Sequence, residues 1–127
     1  MAIERLDHYT IRTSRLEATR RFYVDVIGLR DGPRPPFAFP GAWLYSGEMP
    51  VVHVIGAEAS GSGTGTIDHV AFRSTNLRQL RDRLREGALR FEERTVPMLG
   101  VHQVFIEDPN GLTIELNFDP AELPAAT

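Results

Sequence analysis

The stretch Leu6-Asp7-His8-Tyr9-Thr10-Ile11-Arg12-Thr13-Ser14-Arg15-Leu16 returns in outline as Ile67-Asp68-His69-Val70-Ala71-Phe72-Arg73-Ser74-Thr75-Asn76-Leu77. Asp, His, Arg and Leu are identical in the two copies, and the second begins 61 residues after the first in a chain of 127. A repeat at nearly half the chain length implies two copies of one supersecondary unit. Each copy leads into a helix-starting pattern, Ser14-x-x-Glu17 or Asn76-x-x-Gln79, in which a side-chain oxygen can take up an orphan backbone N–H. Helices are predicted over about Arg15–Ile27 and Leu77–Glu86, with Gly28 and Gly87 as their C-terminal caps. Leu16, Ala18, Phe22, Tyr23 and Val26 would form the apolar stripe of the first helix, and Leu77, Leu80 and Leu84 that of the second.

Short β-branched or alternating runs follow: Trp43-Leu44-Tyr45, Val51 to Ile55, Val101 to Glu107 and Leu112 to Phe118. Ser46 to Pro50 and Asp108-Pro109-Asn110-Gly111 supply turns at equivalent places in the two halves. Each half therefore reads strand, helix, then several strands. A Gly/Ser-rich linker over 58–65 separates modules of approximately 1–57 and 66–120, and the whole of 1–127 is read as one domain built from two pseudo-repeats.

Composition removes several kinds of chemistry. All fourteen basic residues are arginine, so no lysine is available for a Schiff base, and the absence of cysteine excludes thiolate catalysis, disulfides and thiolate metal ligands. Seventeen acidic residues leave a net charge of −3, which gives no polybasic face for nucleic acid. No apolar run approaches the ~20 residues of a membrane span, and the N-terminus lacks signal-peptide architecture, so a cytoplasmic protein is expected.

An offset of 62 in the hairpins aligns Val51-Val52-His53-Val54 with Thr113-Ile114-Glu115-Leu116. Four equivalent positions then hold His8, His69, His53 and Glu115. Pseudo-twofold symmetry would bring such positions around one axis, and three imidazoles with a carboxylate would there make a metal site. Strand parity puts His8 on the side of Leu6 and Thr10, and Glu115 on the side of Thr113 and Asn117. A carboxylate between Ile114 and Leu116 is costly to bury unless it is paired or coordinates a cation. Nitrogen and oxygen donors without thiolate suit Fe, Mn, Ni, Co or Zn as a divalent ion. His53 can face this site as a ligand or as an acid/base group, and His102 falls at a mouth or edge position.

These residues resemble the vicinal oxygen chelate superfamily of glyoxalases, bleomycin-binding proteins and extradiol dioxygenases. The resemblance runs from Leu6-Asp7-His8 through Phe22-Tyr23-x-x-x-x-Gly28-Leu29, Ile67-Asp68-His69-Val70-Ala71-Phe72 and Asp108-Pro109-Asn110-Gly111 to Ile114-Glu115-Leu116. It implies an α+β fold of two βαβββ modules forming a curled mixed sheet around a metal cleft, with His8, His69 and Glu115 as the ligands. It also implies a homodimer and a small-molecule substrate, and places Trp43 and Phe105 along the cleft; His102, from its position at the mouth, is expected to touch substrate, and the composition leads us to expect no nucleic acid or membrane partner. The stretch Arg34 to Tyr45 is similar to a glyoxalase-like subgroup.

The implied activity is that of a metal-dependent lyase or isomerase, acting on a substrate with adjacent oxygens through a metal-stabilised enediolate, with Glu115 or His53 moving the proton. Glyoxalase I, however, has a glutamate where this chain has His53. Two alternatives share the fold. One is an Fe(II) ring-cleaving dioxygenase, although Phe105 stands where those enzymes tend to carry tyrosine. The other is a non-catalytic binder of aromatic or drug-like molecules.

Overall fold

A computed structural model describes residue 1 and residues 4–59, 67–96 and 100–124. The chain divides into two compact units, Met1–Gly61 and Ser62–Thr127. Most of the expected linker, 60–65, lies outside the described residues.

In the first unit β1 (Tyr9–Thr13) leads into α1 (Leu16–Arg21), which continues as a π-helical turn over Phe22–Ile27. Then come β2 (Arg30–Gly32), β3 (Gly41–Ser46) and β4 (Met49–Gly56). The sheet order is β1-β4-β3-β2, with β1 parallel to β4 and the other pairs antiparallel. A parallel pair needs a long crossover, which the helix and the two intervening strands provide.

The second unit repeats the plan. β5 (His69–Arg73), α2 (Leu77–Glu86), β6 (Glu92–Val96), β7 (Val101–Glu107) and β8 (Thr113–Phe118) give the order β5-β8-β7-β6, with β5 parallel to β8. The architecture is thus α+β, two β-α-β-β-β modules each carrying a four-stranded mixed sheet.

Alternation along the strands separates two faces in each sheet. Ile11, Thr13, Ala42, Leu44, Val52 and Val54 are buried on one face of the first, where α1 packs over β3 and β4. Val104, Ile106, Ile114, Leu116 and Phe118 are their counterparts in the second, with Leu77, Leu80 and Leu84 buried along α2. The remaining face holds Thr10, Trp43 and His53 in one rung of the first sheet, and Ala71, Glu115 and Phe105 in one rung of the second. The expected hairpin turn after β7 closes on Asp108, whose Oδ1 accepts from the Asn110 and Leu112 backbone amides at 2.8 and 2.9 Å.

Several local details depart from the sequence reading. Arg15, not Ser14, occupies the cap position of α1 and makes no side-chain cap bond, whereas Asn76 does cap α2 through Oδ1, 3.2 Å from the Gln79 amide. Thr19 rather than Ala18 is the buried residue in the middle of α1. Gly28 adopts the left-handed conformation at φ 91°, as a C-cap glycine does, but α2 ends differently. Gly87 has φ −82° and Ala88 takes the left-handed position at φ 51°. The Leu89 amide returns to the Leu84 carbonyl at 2.9 Å and the Ala88 amide to Arg85 at 3.1 Å, the two bonds of a Schellman motif. The edge strands β2 and β6 carry too little apolar alternation to be read from sequence, since an edge strand with one solvated side does not require it.

Candidate functional site

In the first unit three rings form a column on the face away from α1. The His8 ring stacks on His53 with centroids 3.8 Å apart and planes 12° from parallel, and His53 stacks in turn on Trp43 at 4.1 Å and 11°. The column follows from register, because Trp43 on β3 lies directly opposite His53 on β4, and His8 stands just ahead of β1, whose Thr10 is the other neighbour of His53. His53 Nε2 donates to the Pro50 carbonyl at 3.0 Å, which leaves its Nδ1 with the lone pair. Burial, followed by the charge of His8, lowers the His53 pKa, outweighing the Pro50 carbonyl and the Asp7 carboxylate. His8 Nδ1 lies 2.6 Å from Asp7 Oδ2, and that hydrogen bond is the main reason the Asp7 carboxyl titrates below its usual range.

Stacking also sorts the two histidines chemically. An imidazole lone pair lies in the ring plane, so an ion bound to His8 would lie in a plane nearly parallel to the His53 ring and displaced from it. That displacement exceeds the ~2.0–2.1 Å of a metal–imidazole bond. In this arrangement His8 and His53 cannot both ligate one ion.

In the second unit His69, the first residue of β5, places Nε2 3.5 Å from Glu115 Oε1. Its Nδ1 lies 2.8 Å from Asp68 Oδ2. Glu115 is 9% exposed in the middle of β8, and its second oxygen accepts from Asn117 Nδ2 at 2.8 Å. Opposite it, Phe105 lies under the Arg94 guanidinium, 5.0 Å from ring centroid to Cζ, and borders a cavity of about 200 Å³ lined also by Glu92 and Glu93.

The donor chemistry fits a divalent ion. Two ligands held ~2.0–2.2 Å from one metal in octahedral or tetrahedral geometry stand about 3–3.5 Å apart, the spacing of His69 Nε2 and Glu115 Oε1. Among the described residues no three His, Asp or Glu side chains cluster as a metal-holding group. The structure thus presents His69 with Glu115 in one unit, and His8 with His53 and Trp43 in the other.

His102 is placed away from these groups. Strand parity puts it on the buried face of β7 with Val104, where Nδ1 meets Thr95 Oγ1 at 2.9 Å and Nε2 meets Glu93 Oε1 at 2.7 Å. Both ring nitrogens are engaged and the residue is 5% exposed, so the expectation of a mouth residue touching substrate is corrected to that of a polar tie between β6 and β7. Asp7, Asp68 and Asn117 are the site neighbours that the sequence reading did not single out. The signal for the first two was present, since the Asp-His dipeptide is identical in both repeats.

Comparison with known proteins agrees with this architecture. The family model described as the glyoxalase/bleomycin resistance protein/dioxygenase superfamily matches residues 5–116. Among solved structures, a glyoxalase family protein from Bacillus anthracis is 21% identical with a TM-score of 0.75, the match covering 94% of this chain and 98% of that one. A lactoylglutathione lyase from Agrobacterium tumefaciens is 17% identical with a TM-score of 0.67, covering 93% and 96%. The fosfomycin resistance protein FosX from Listeria monocytogenes is 14% identical with a TM-score of 0.72, covering 95% and 98%. A search of the curated proteins finds no match. With its two repeated modules and a family match over residues 5–116, the chain belongs to the glyoxalase/bleomycin resistance protein/dioxygenase superfamily.

Proposed function

We propose that the protein is a metal-dependent lyase or isomerase of glyoxalase type, acting on a small substrate that carries two adjacent oxygens. In this reading His8, His69 and Glu115 would hold the divalent ion. The observation that carries this reading is the pairing of His69 Nε2 with Glu115 Oε1 at 3.5 Å, on a carboxylate set between the buried Ile114 and Leu116 of β8. A buried carboxylate beside an imidazole is costly unless it is hydrogen-bonded or bound to a cation.

A bound ion would supply Lewis-acid stabilisation to the enediolate formed when a proton leaves the neighbouring carbon. The chain's own contribution to that step is His53. Its Nε2–H is committed to Pro50, so Nδ1 is the atom that receives and returns the proton, and Trp43 holds the ring plane. A lowered pKa keeps His53 unprotonated at neutral pH, the form a general base requires. Trp43 and Phe105 present apolar surface to the substrate beside His53 and Glu115. The lyase named among the structural relatives supports the choice of reaction class.

The test is elemental analysis of protein purified without chelator, alongside His8→Ala and Glu115→Ala. One ion per site in the parent and none in the variants is expected, with isomerisation of a 2-oxo-aldehyde hemithioacetal by the loaded parent. Stoichiometric metal retained in both variants overturns the ligand assignment. Two imidazoles with one carboxylate also form the donor set of Fe(II) oxygenases. Oxygen uptake with a catechol after anaerobic Fe(II) loading would move the assignment there, and tight aromatic-ligand binding by metal-free protein would move it to a binder.

A further inference from the structure

The same contact recurs at the start of each module. Asp7 Oδ2 meets His8 Nδ1 at 2.6 Å, and 61 residues later Asp68 Oδ2 meets His69 Nδ1 at 2.8 Å. Successive side chains within a strand point to opposite faces, so neighbours do not ordinarily touch. Here the contact is possible because Asp7 and His8 lie ahead of β1, which begins at Tyr9, and Asp68 lies ahead of β5, which begins at His69. Before ladder pairing begins, the aspartate can turn back onto its neighbour's ring.

We propose that Asp7 and Asp68 are positioning residues that set the ring tautomers of His8 and His69, placing the proton on Nδ1 and presenting Nε2 as the donor atom. An ionised carboxylate only accepts, so the shared hydrogen resides on the imidazole nitrogen facing it. The other nitrogen then carries the lone pair. In the second unit Nε2 stands 3.5 Å from Glu115 Oε1, outside hydrogen-bond geometry, so the closer Asp68 sets the tautomer and the lone pair is left on the side where the two groups would share a cation. His53 is held in the opposite tautomer by Pro50, with the proton on Nε2. Three histidines on related positions are thereby divided by their hydrogen-bond partners into two rings that offer Nε2 and one that offers Nδ1.

A carboxylate on the far nitrogen of a ligating histidine also raises its basicity and fixes ring orientation, and losing such a partner typically costs ~10–100-fold in metal affinity. Asp7 and Asp68 are 72% and 94% exposed, so neither is placed to fill the core, and their replacement is expected to leave the fold intact. The metal-affinity consequence rests on the ligand assignment proposed above, whereas the tautomer assignment does not.

The experiment is a long-range proton–nitrogen correlation spectrum of the full, metal-free chain at a pH where the imidazoles are neutral. It is recorded for the parent, Asp7→Ala, Asp68→Ala and the corresponding Asp→Asn variants. The parent should show Nδ1–H for His8 and His69 and Nε2–H for His53. Each alanine variant should move its own histidine toward Nε2–H, with partial retention of Nδ1–H in the asparagine variants, which keep an acceptor oxygen. Nε2–H at His8 and His69 in the parent, or no change in the alanine variants, overturns the proposal.

Co²⁺ titration of the same proteins, followed by absorbance and calorimetry, should show ~10–100-fold weaker binding in each alanine variant. Changed tautomers with unchanged Co²⁺ affinity would overturn the outer-shell role. A parent that takes up no Co²⁺ would overturn the metal reading instead, with the spectra still deciding what Asp7 and Asp68 do.

Discussion

Asn117 donates its side-chain amide to Glu115 Oε2 at 2.8 Å, two residues along the same strand and on the same face. That bond occupies one carboxylate oxygen and leaves the other, Oε1, facing His69. The Asn117 carbonyl oxygen is buried without a hydrogen-bond partner, so replacing the amide removes an unsatisfied group together with a useful one. Because Asn117→Leu also strands Glu115 Oε2, it should lower folding stability by about 1–3 kcal/mol, while divalent-metal affinity falls by ~10-fold or more. Denaturant titration alongside Co²⁺ binding tests the split. A stability loss of that size with unchanged affinity would show that the residue serves packing alone.

Glu93 ties three elements of the second unit together. Its carboxylate takes both Arg81 Nε and Nη2 from α2, at 3.1 and 2.8 Å, and His102 Nε2 from β7 at 2.7 Å. Burial, the largest single influence, pushes the Glu93 carboxyl up, but the hydrogen bonds and charges of Arg81 and His102 together outweigh it and hold it below its ordinary value of 4.5. A depressed carboxyl contributes stability that is full above the unfolded value and is lost as pH falls through the folded one. The parent should thus lose stability below about pH 4.5 more steeply than Glu93→Gln. At neutral pH that variant should be less stable by about 2 kcal/mol, because a charge-assisted bidentate pair is replaced. Equal slopes in urea unfolding between pH 3 and pH 6 would remove Glu93 from the acid response.

Ala88 carries the backbone strain that ends α2, with φ at 51° where glycine is the residue without a Cβ penalty. A left-handed non-glycine residue costs roughly 1–2 kcal/mol, part of which returns as unfolded-state freedom when glycine is introduced. Ala88→Gly should stabilise the protein by ~0.5–1 kcal/mol and raise Tm by about 2–4 °C. Calorimetry decides this, and a lower Tm would mean that the backbone there is not strained.

The column of Trp43, His53 and His8 should behave as a coupled unit. Aromatic pairs of this kind are worth about 0.5–1.5 kcal/mol beyond their buried area. A double-mutant cycle with Trp43→Ala and His53→Ala should return a coupling of that size. Trp43 is also the sole tryptophan, so His53→Ala should shift its emission to the red as one ring face becomes solvated. Additive energies would show that the rings are neighbours without interaction.

Much of this was legible in one dimension. Repetition of Asp-His followed by alternating residues, a helix and two turn signals required two copies of one unit, because like patterns bury like faces. The period of two along β8 assigns Glu115 to the side away from Ile114 and Leu116, and repeat equivalence gives His53 the matching position on β4. His102 follows the same parity rule, and its association with Glu93 required the pairing of β7 with β6, an edge strand whose polar Glu92-Glu93-Arg94-Thr95 run carries no strand signal of its own.

What the sequence determined by itself was therefore the module, its repetition and the type of donor each equivalent position carries, since these depend on local periodicity and residue chemistry. Only tertiary structure decided which nitrogen of each imidazole is committed. Pro50 takes Nε2 of His53, Asp7 and Asp68 take Nδ1 of His8 and His69, and His102 is held at both nitrogens by Thr95 and Glu93. Hydrogen-bond direction depends on angles and distances of a few tenths of an ångström, which are set by strand register and ring stacking rather than by residue order.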